Sequence, residues 1–565
     1  MKGSILRGSL SGGCDVRLDV GQSIEDIKVG TFCVIEGRRY DFFSMVVDES
    51  IEAVNPKALY ETADNSPILS DIVHGTGIIE EIKLQPMVLI DKEDDEPITN
   101  LNRSEKIRPV KSIPSHLSLV REAYKEDVYN IFGEPDDTHF YVGTPLDMDD
   151  IEVCIDLKKF IERSNGIFGK SGTGKTFYTR LMLCGMIRSK LCNVLVFDMH
   201  SEYGWAGIDE DKNRGEAKGL KQLFGSEVAI FTLDPDSSRN RGVRPDFVVE
   251  IPYSSIEPED IALVGDELNL NATALESIYI LQKHLGRDWL VSFLNMDAPG
   301  IEQFAESTGA HVGAMQALQR KLFQLQKLPF IKENPADDAV KRIMEYIDNG
   351  MNVVLEFGHQ KSMLAYMLVA NILTRRIHAL YVERSEKALG KKEAENTPLV
   401  IVIEEAHKFL NPEASRQTIF GMIAREMRKN NVTLLVVDQR PSGIDAEIHS
   451  QFGTKITALL TEEKDIESVL CGTNNAKMLR NVLASLDTKQ QALILGHAVP
   501  MPVVIRTRTY DENFYKDITS GNRPKRGALS KMKGSFASGQ GEEYGSELPP
   551  PGKDFEDLMK ELYGE

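Results

Sequence analysis

The stretch that decides the fold is GIFGKSGTGKTFYTRLML, residues 166–183. Residues 169–176 match the pattern G-x-x-x-x-G-K-[ST] in full. The apolar run before this pattern predicts a strand, and the residues after it predict a helix. Backbone N–H groups of such a glycine-rich loop surround a phosphate at the positive end of the helix. The sequence therefore predicts a nucleoside triphosphate site rather than an ordinary glycine-rich turn.

Each part of this loop has an expected role in nucleotide binding. Lys175 is expected to reach the β- and γ-phosphates, and the Thr176 hydroxyl to bind Mg²⁺. ATP and Mg²⁺ are therefore the predicted cofactors. The predicted nucleotide-binding residues are Gly169, Lys170, Ser171, Gly172, Thr173, Gly174, Lys175, Thr176 and Phe177.

A second motif, LVIVIEEAH at residues 399–407, supplies acidic groups. Its apolar run predicts a buried strand that ends with Glu404 and Glu405 at the carboxyl edge of the sheet. We expect Glu404 to hold the water shell of Mg²⁺ and Glu405 to polarise the attacking water as a base. The alternative is a solvated helix start, because acids also suit a helix N-terminus.

Two further catalytic candidates follow in the chain. Gln439 ends the apolar run of residues 432–438 and is expected to hydrogen-bond the γ-phosphate or the attacking water, unless it is an ordinary loop glutamine. Arg425, Arg428 and Lys429 share one face of a predicted helix. This cluster is either a solvated basic face or an arginine finger for the nucleotide of a neighbouring subunit.

Polar residues also end the predicted strand at FDMHSEYGW, residues 197–205. Asp198, His200 and Glu202 have no second ligand cluster that would complete a metal site. Because they follow a strand of the same sheet, we expect them to serve the nucleotide pocket or a subunit contact.

The alternation of apolar runs with helical patterns predicts an α/β fold. The expected architecture is a core with a mostly parallel sheet that carries the glycine-rich loop, preceded by a small β-barrel and interrupted by a helical subdomain. The predicted boundaries are 1–110 for the barrel, 111–149 for a connector, 150–255 and 348–519 for the core, 256–347 for the helical insertion, and 520–565 for a flexible tail with a short terminal helix.

The formal net charge of −20 argues against a protein that coats nucleic acid over its whole surface. It leaves room for a local basic surface, since a few well-placed Lys and Arg suffice for phosphate contacts. The chain has no apolar run long enough to span a membrane, and its N-terminus lacks the pattern of a secretory signal. A cytoplasmic protein without a membrane contact is therefore expected.

Taken together, these motifs resemble the HerA/FtsK class of P-loop ATPases, and HerA proteins most closely. The resemblance implies a RecA-like P-loop ATPase core and a homo-hexameric ATPase that translocates double-stranded DNA. It also implies a partner encoded nearby, either a NurA-like nuclease or another effector such as a sirtuin-like NADase, and a role in DNA end processing or anti-phage defence. The motifs that carry it are the barrel run, GKSGTGKT, FDMHSEYG, VIEEAH, REMRK, VVDQRPSGID and PMPVVIRTR, in this order.

The same resemblance gives Lys175, Thr176, Glu404, Glu405 and Gln439 the roles described above. It makes Arg425 or Arg428 the finger that acts on a neighbouring subunit. Glu404 departs from the Asp that usually ends such a strand, and its extra methylene changes its reach toward Mg²⁺.

Two other functions remain open at this point. The first is an ATPase ring that scaffolds and regulates a nuclease or NADase with little productive translocation. The second is a conjugation or secretion ATPase, which the lack of a membrane segment disfavours. For contacts with DNA, the loop with Arg239, Arg241 and Arg244 is a candidate, and a solvated loop is the alternative.

Overall fold

The structure is a computed structural model. Two predictions fall outside the residues it describes, namely the C-terminal tail after Ser520 and the pair Arg428 and Lys429. Within the described residues, no helix combines the length and the apolarity needed to cross a bilayer. The described residues are 2–19, 22–53, 78–92, 97–208, 216–391, 396–416, 418–426, 430–473, 476–488 and 490–520.

The first strands form a closed antiparallel barrel in the order β2-β1-β7-β3-β4-β5, and pairing of β2 with β5 completes the ring. Alternate side chains along each strand point inward, so Val16, Ile35 and Phe42 are buried in the barrel core. Closure leaves few free strand edges. The strands are β1 (Lys2–Ser9), β2 (Gly13–Leu18), β3 (Phe32–Glu36), β4 (Tyr40–Ala53), β5 (Ile78–Asp91), β6 (Ile107–Pro109), which pairs with β5, and β7 (Leu119–Glu122).

The segment predicted as a connector, residues 111–149, contributes to two sheets. β7 pairs with β1 and β3 of the barrel, beyond the predicted boundary at residue 110. β8 (His139–Pro145) pairs with β9 (Val153–Asp156) and joins the core sheet. The segment is therefore part of both sheets rather than a connector. Helices α1 (Arg103–Lys106) and α2 (Lys125–Phe132) lie in the same part of the chain.

The core is a sheet with twelve strands among the described residues, in the order β15-β14-β18-β11-β19-β20-β10-β21-β22-β23-β8-β9. The strands from β15 to β21 run parallel, and the remaining ones are antiparallel. This arrangement confirms the predicted α/β class with a mostly parallel sheet. The remaining core strands are β10 (Asn165–Phe168), β11 (Asn193–Asp198), β14 (Val228–Thr232), β15 (Phe247–Val248), β18 (Asn352–Glu356), β19 (Leu399–Glu404), β20 (Val432–Asp438), β21 (Thr454–Thr457), β22 (Gln491–Gly496) and β23 (Val503–Thr507).

The central strands of the sheet, β11, β19 and β20, are buried on both faces, apart from the partly exposed last residue of β19. Two small sheets accompany it, formed by β12 (Gly207–Ile208) with β13 (Glu216–Ala217) and by β16 (Ile251–Pro252) with β17 (Ile331–Lys332). The helices of the core are α3 (Leu157–Ile161), α4 (Lys175–Ser189), α5 (Leu220–Phe224), α6 (Pro235–Asn240), α13 (Met363–Lys391), α14 (His407–Leu410), α15 (Ile419–Glu426), α16 (Ala446–Gln451), α17 (Glu463–Leu470), α18 (Ala476–Ala484) and α19 (Glu512–Thr519).

Helices also fill the range predicted as an insertion. They begin at Pro258, two residues after the predicted start, and the last one ends at Asp348. A buried contact joins them to α13, because the Asp260 carboxylate accepts hydrogen bonds from Arg375 and Asn371, each at 2.7 Å. These helices are α7 (Pro258–Leu263), α8 (Ala272–Leu285), α9 (Trp289–Leu294), α10 (Ala298–Thr308), α11 (Val312–Leu322) and α12 (Ala339–Asp348).

Candidate active site

The parallel strands bring a row of acids to one edge of the sheet. Phe168, the last residue before the glycine-rich loop, is in register with Asp438 on β20. Glu404 at the end of β19 is in register with Val437 on β20, and Asp198 at the end of β11 is in register with Glu356 on β18. Carboxyl ends of parallel strands share an edge, which is where α/β sheets bind ligands. The motifs that are far apart in the sequence therefore meet beside the loop.

The glycine-rich loop connects β10 to α4 and has the open shape of a phosphate cradle. Gly172 and Gly174 have φ values of +78° and +91°, in the left-handed region that favours glycine. A Cβ on Gly172 would meet open space, so the strain at this position is conformational rather than steric. Lys175, the first residue of α4, donates from Nζ to the carbonyl of Lys170 at 3.0 Å.

The other predicted nucleotide-binding residues lie in the loop before α4, except Phe177, which lies within the first turn of α4. Its ring is edge-on to Tyr510, with ring centroids 6.2 Å apart. The Arg180 guanidinium lies 5.6 Å from the Phe177 ring centroid. Phe177 thus belongs to an aromatic cluster that supports the helix start. The loop residues are Gly169, Lys170, Ser171, Gly172, Thr173 and Gly174.

The Thr176 hydroxyl, predicted to bind Mg²⁺, faces a carboxylate from the turn after β11. It donates to Oε2 of Glu202 at 3.0 Å. Backbone contacts hold this turn, since Asp198 accepts from the N–H groups of Glu202 and Tyr203, both at 2.8 Å. Arg180 on α4 donates through Nε to the carbonyl of Glu202 at 3.1 Å. The turn therefore presents Glu202 to the start of α4.

The three polar residues predicted to serve the nucleotide pocket, Asp198, His200 and Glu202, lie in different environments. Asp198 is fully buried and caps the turn, and burial raises the pKa of its carboxyl. Glu202 reaches the nucleotide side through Thr176, whereas His200 is exposed. The contact between Thr176 and Glu202 was missed by sequence reasoning, because the turn geometry that aims Glu202 leaves no pattern in the residues.

Two tyrosines hold Glu404. The Tyr203 hydroxyl donates to its Oε1 at 2.7 Å. The Tyr366 hydroxyl, from α13, accepts from the Glu404 N–H at 2.8 Å and donates to its carbonyl at 3.1 Å. Burial, followed by the charge of Asp198, raises the pKa of Glu404 to about 8. Its Oε2 is buried and has no hydrogen-bond partner among the described residues.

Glu405 adopts an unusual backbone conformation beside Gln439. Its φ is +49°, a left-handed value that costs a residue other than glycine about 1 kcal/mol or more. Its Oε1 accepts from Nε2 of Gln439 at 3.2 Å, and its Oε2 lies 3.6 Å from Nδ1 of His407. The residues predicted as base and as γ-phosphate sensor are thus in direct contact.

Asp438 and His407 form a hydrogen-bonded pair next to Glu405. Asp438 is nearly inaccessible and accepts from the N–H of His407 at 2.6 Å, from its Nδ1 at 2.9 Å and from the N–H of Arg440 at 2.6 Å. The hydrogen bond to Asp438 raises the pKa of His407. Ligand atoms of Glu405, His407 and Asp438 lie within 4.8 Å of one another. Asp438 and His407 each lie in a motif that the sequence analysis identified. Their pairing depends on the register of β19 and β20, which the sequence does not show.

Arg425, predicted as a finger, is engaged within its own chain. Its Nη1 donates to the Ser415 carbonyl at 2.8 Å, and its Nε lies 3.7 Å from Oε2 of Glu447. Its proposed action on a neighbouring subunit stays a prediction.

Among the arginines considered for DNA contacts, Arg241 instead pairs with the fully buried carboxylate of Glu356. Arg239 is exposed and lies 3.0 Å from Asp236.

The chain is similar to proteins of one family over most of its length. The family profile described as "Helicase HerA, central domain" matches residues 140–377, a range that contains Thr176 and Glu202. The "DNA double-strand break repair helicase HerA" of Saccharolobus solfataricus is 26% identical over 514 residues, which cover 86% of this chain and 88% of that protein. The protein of the same description from Pyrococcus furiosus is 22% identical, with 66% and 70% covered.

Among solved structures, the bacterial conjugative coupling protein TrwBdeltaN70 aligns with a TM-score of 0.42 and 11% sequence identity. The alignment covers 69% of this chain and 92% of that one.

Proposed function

We propose that this chain, which belongs to the HerA type of P-loop ATPases, is the subunit of a homo-hexameric motor that translocates double-stranded DNA. The chain is an ATP-hydrolysing enzyme of this type. The observation that carries the proposed motor is the meeting of the glycine-rich loop, the Thr176–Glu202 contact and the Glu405–Gln439 contact at one edge of the sheet. The description of its relatives as DNA double-strand break repair helicases supports DNA as the substrate.

In the proposed site, the loop N–H groups and Lys175 bind the phosphates of ATP. Glu405 orients and deprotonates the attacking water, while Gln439 fixes the carboxylate of Glu405 and reports the γ-phosphate. Hydroxyl and carboxylate oxygens are the ligands that Mg²⁺ prefers, and Thr176 with Glu202 or Glu404 supplies them. When bound there, Mg²⁺ neutralises charge that develops on the phosphates.

The ring completes the proposed mechanism. Either Arg428 or Arg425, which would then leave its contact with Ser415, stabilises the transition state in the neighbouring subunit, as arginine fingers do. Alternate closing and opening of subunit interfaces then moves DNA through the ring. The partner is a NurA-like nuclease or another effector encoded nearby, and the process is DNA end processing or anti-phage defence.

The test compares ATP turnover by the purified chain with and without linear duplex DNA, alone and with the product of the adjacent gene. We expect DNA to raise turnover several-fold and a mass measurement in ATP to give six subunits. Glu405→Gln is expected to abolish turnover while ADP binding survives. Glu306→Gln, which removes one exposed carboxylate of the helical insertion, is the matched control and should retain turnover.

A different outcome would contradict the motor. If DNA leaves turnover unchanged while the complex gains nuclease or NADase activity, the chain is a regulatory ring rather than a translocase. If Glu405→Gln keeps hydrolysing ATP, Glu405 is not the base. A chain that stays monomeric in ATP leaves Arg425 without a neighbour to serve.

A further inference from the structure

We infer, building on the nucleotide site proposed above, that Glu202 is the carboxylate that binds Mg²⁺ with Thr176, and that Glu404 positions it. The sequence gives the metal role to Glu404, which ends the strand before the base. The contacts of Glu202 and Glu404 differ, and they favour Glu202 as the metal ligand.

The first observation is the orientation of the Thr176 hydroxyl. In a P-loop the hydroxyl at this position is the protein ligand of Mg²⁺. Here it donates to Oε2 of Glu202 at 3.0 Å. A carboxylate oxygen this close to the hydroxyl lies where a cation bound to Thr176 would be coordinated directly or through one water molecule. Glu202 is therefore placed to coordinate the cation, directly or through one water molecule.

The second observation is that the backbone of Glu202 is held by two elements. Asp198 accepts its N–H at 2.8 Å from the end of β11. Arg180, on the helix that begins with Lys175, donates to its carbonyl. The Glu202 carboxylate thus extends from a turn that is tied to the phosphate-binding helix itself. Fixing a ligand in this way lowers the entropy lost when the cation binds.

The third observation is that contacts with the protein anchor Glu404. Its Oε1 accepts from the Tyr203 hydroxyl at 2.7 Å, and Tyr366 bonds both backbone groups of the same residue. Tyr203 is the neighbour of Glu202 in the chain and is fully buried. Glu404 therefore acts on Glu202 through Tyr203, as a positioning residue.

One feature of Glu404 favours the opposite assignment. Its Oε2 is buried without a hydrogen-bond partner among the described residues, as expected of an oxygen that awaits a cation. The two assignments differ in one measurable property, because only the residue that binds the cation should control metal affinity strongly.

The test measures binding of Mn²⁺, as a spectroscopic substitute for Mg²⁺, to the full chain saturated with ADP, by the loss of the free-Mn²⁺ electron paramagnetic resonance signal. We expect Glu202→Gln to weaken Mn²⁺ binding at least about tenfold, and Glu404→Gln to weaken it less than about threefold. Glu202→Asp, which keeps the charge but shortens the side chain, should fall between Glu202→Gln and the wild type. Glu306→Gln should match the wild type.

Metal-free ADP binding and thermal melting of each variant separate a local effect from misfolding. If Glu202→Gln fails to fold, Glu202→Asp carries the test. Unchanged Mn²⁺ affinity in Glu202→Gln, or equal losses in Glu202→Gln and Glu404→Gln, overturns the assignment. A wild-type chain that binds no ADP contradicts the nucleotide site instead. DNA is absent from the assay, so neither result depends on the proposed substrate.

Discussion

Replacing Tyr366 with Phe removes one buried hydroxyl that makes two hydrogen bonds with the backbone of Glu404, at 2.8 and 3.1 Å. The Tyr366 side chain is fully buried, so water does not replace the lost partner. A buried backbone N–H left unpaired costs roughly 1–3 kcal/mol, and the loss of the second bond adds about 0.5–1.5 kcal/mol. We expect the free energy of unfolding to fall by about 1.5–4.5 kcal/mol.

The same substitution should also slow ATP turnover. Tyr366 holds the end of β19, and Glu405 follows directly with a left-handed backbone. A small displacement of a catalytic base costs roughly tenfold to a hundredfold in rate. We therefore expect kcat to fall by about that factor, with ADP affinity nearly unchanged, because the glycine-rich loop is not touched.

Tyr381→Phe is the matched control. Tyr381 lies on the same helix, is equally buried, and donates a single bond of 3.3 Å to the carbonyl of Thr397. Its loss should cost about 1 kcal/mol of stability and leave kcat unchanged. Urea unfolding and steady-state turnover of both variants provide the comparison. If Tyr366→Phe lowers stability without lowering kcat, or if both variants lose the same activity, the reasoning about Glu405 is refuted.

Three further outcomes are expected. Asp260→Ala leaves Arg375 without its buried partner and should destabilise the chain by about 2–3 kcal/mol, seen as faster limited proteolysis of the helical insertion. Because Asp438 raises the pKa of His407, this pair stabilises the fold fully below the ordinary histidine pKa, and its contribution is lost as pH rises through the raised value. NMR titration should therefore show a lower His407 pKa in Asp438→Asn. If Arg425 is the finger, Arg425→Ala should lower turnover about a thousandfold with ADP binding retained, and normal turnover would leave Arg428 as the candidate.

The sequence predicts best what chemistry fixes locally. The glycine-rich loop needs particular residues at particular spacings, so the pattern alone is enough to predict Lys175 and Thr176. The same holds for Glu405 and Gln439, because a buried strand that ends in a polar residue places that residue at the sheet edge. The α/β class is predicted because long apolar runs alternate with helical patterns along the chain.

The sequence does not predict contacts between turns that are far apart in the chain. Glu202 meets Thr176 because Asp198 and Arg180 fold one turn against α4, and no spacing of residues encodes that contact. Strand β7 is missed because its residues, LVRE, form no continuous apolar run and lie just before a helical pattern. Arg241 looked available for DNA, but the buried Glu356 on a distant strand holds it.

Helix α13 connects the acids of the site to the helical insertion. Tyr366, near its start, bonds the backbone of Glu404, while Asn371 and Arg375 bond Asp260 in the insertion. At 1.5 Å per residue, Tyr366 and Arg375 are roughly 14 Å apart along one continuous helix. Asp260 is one of several contacts between α13 and the insertion, because Arg376 and Arg384 of the same helix bond Asp338 at 2.6 Å and Asp348 at 2.7 Å. Asp260→Ala should therefore weaken the link between the insertion and the site without abolishing it, while the contacts of Tyr366 with Glu404 persist.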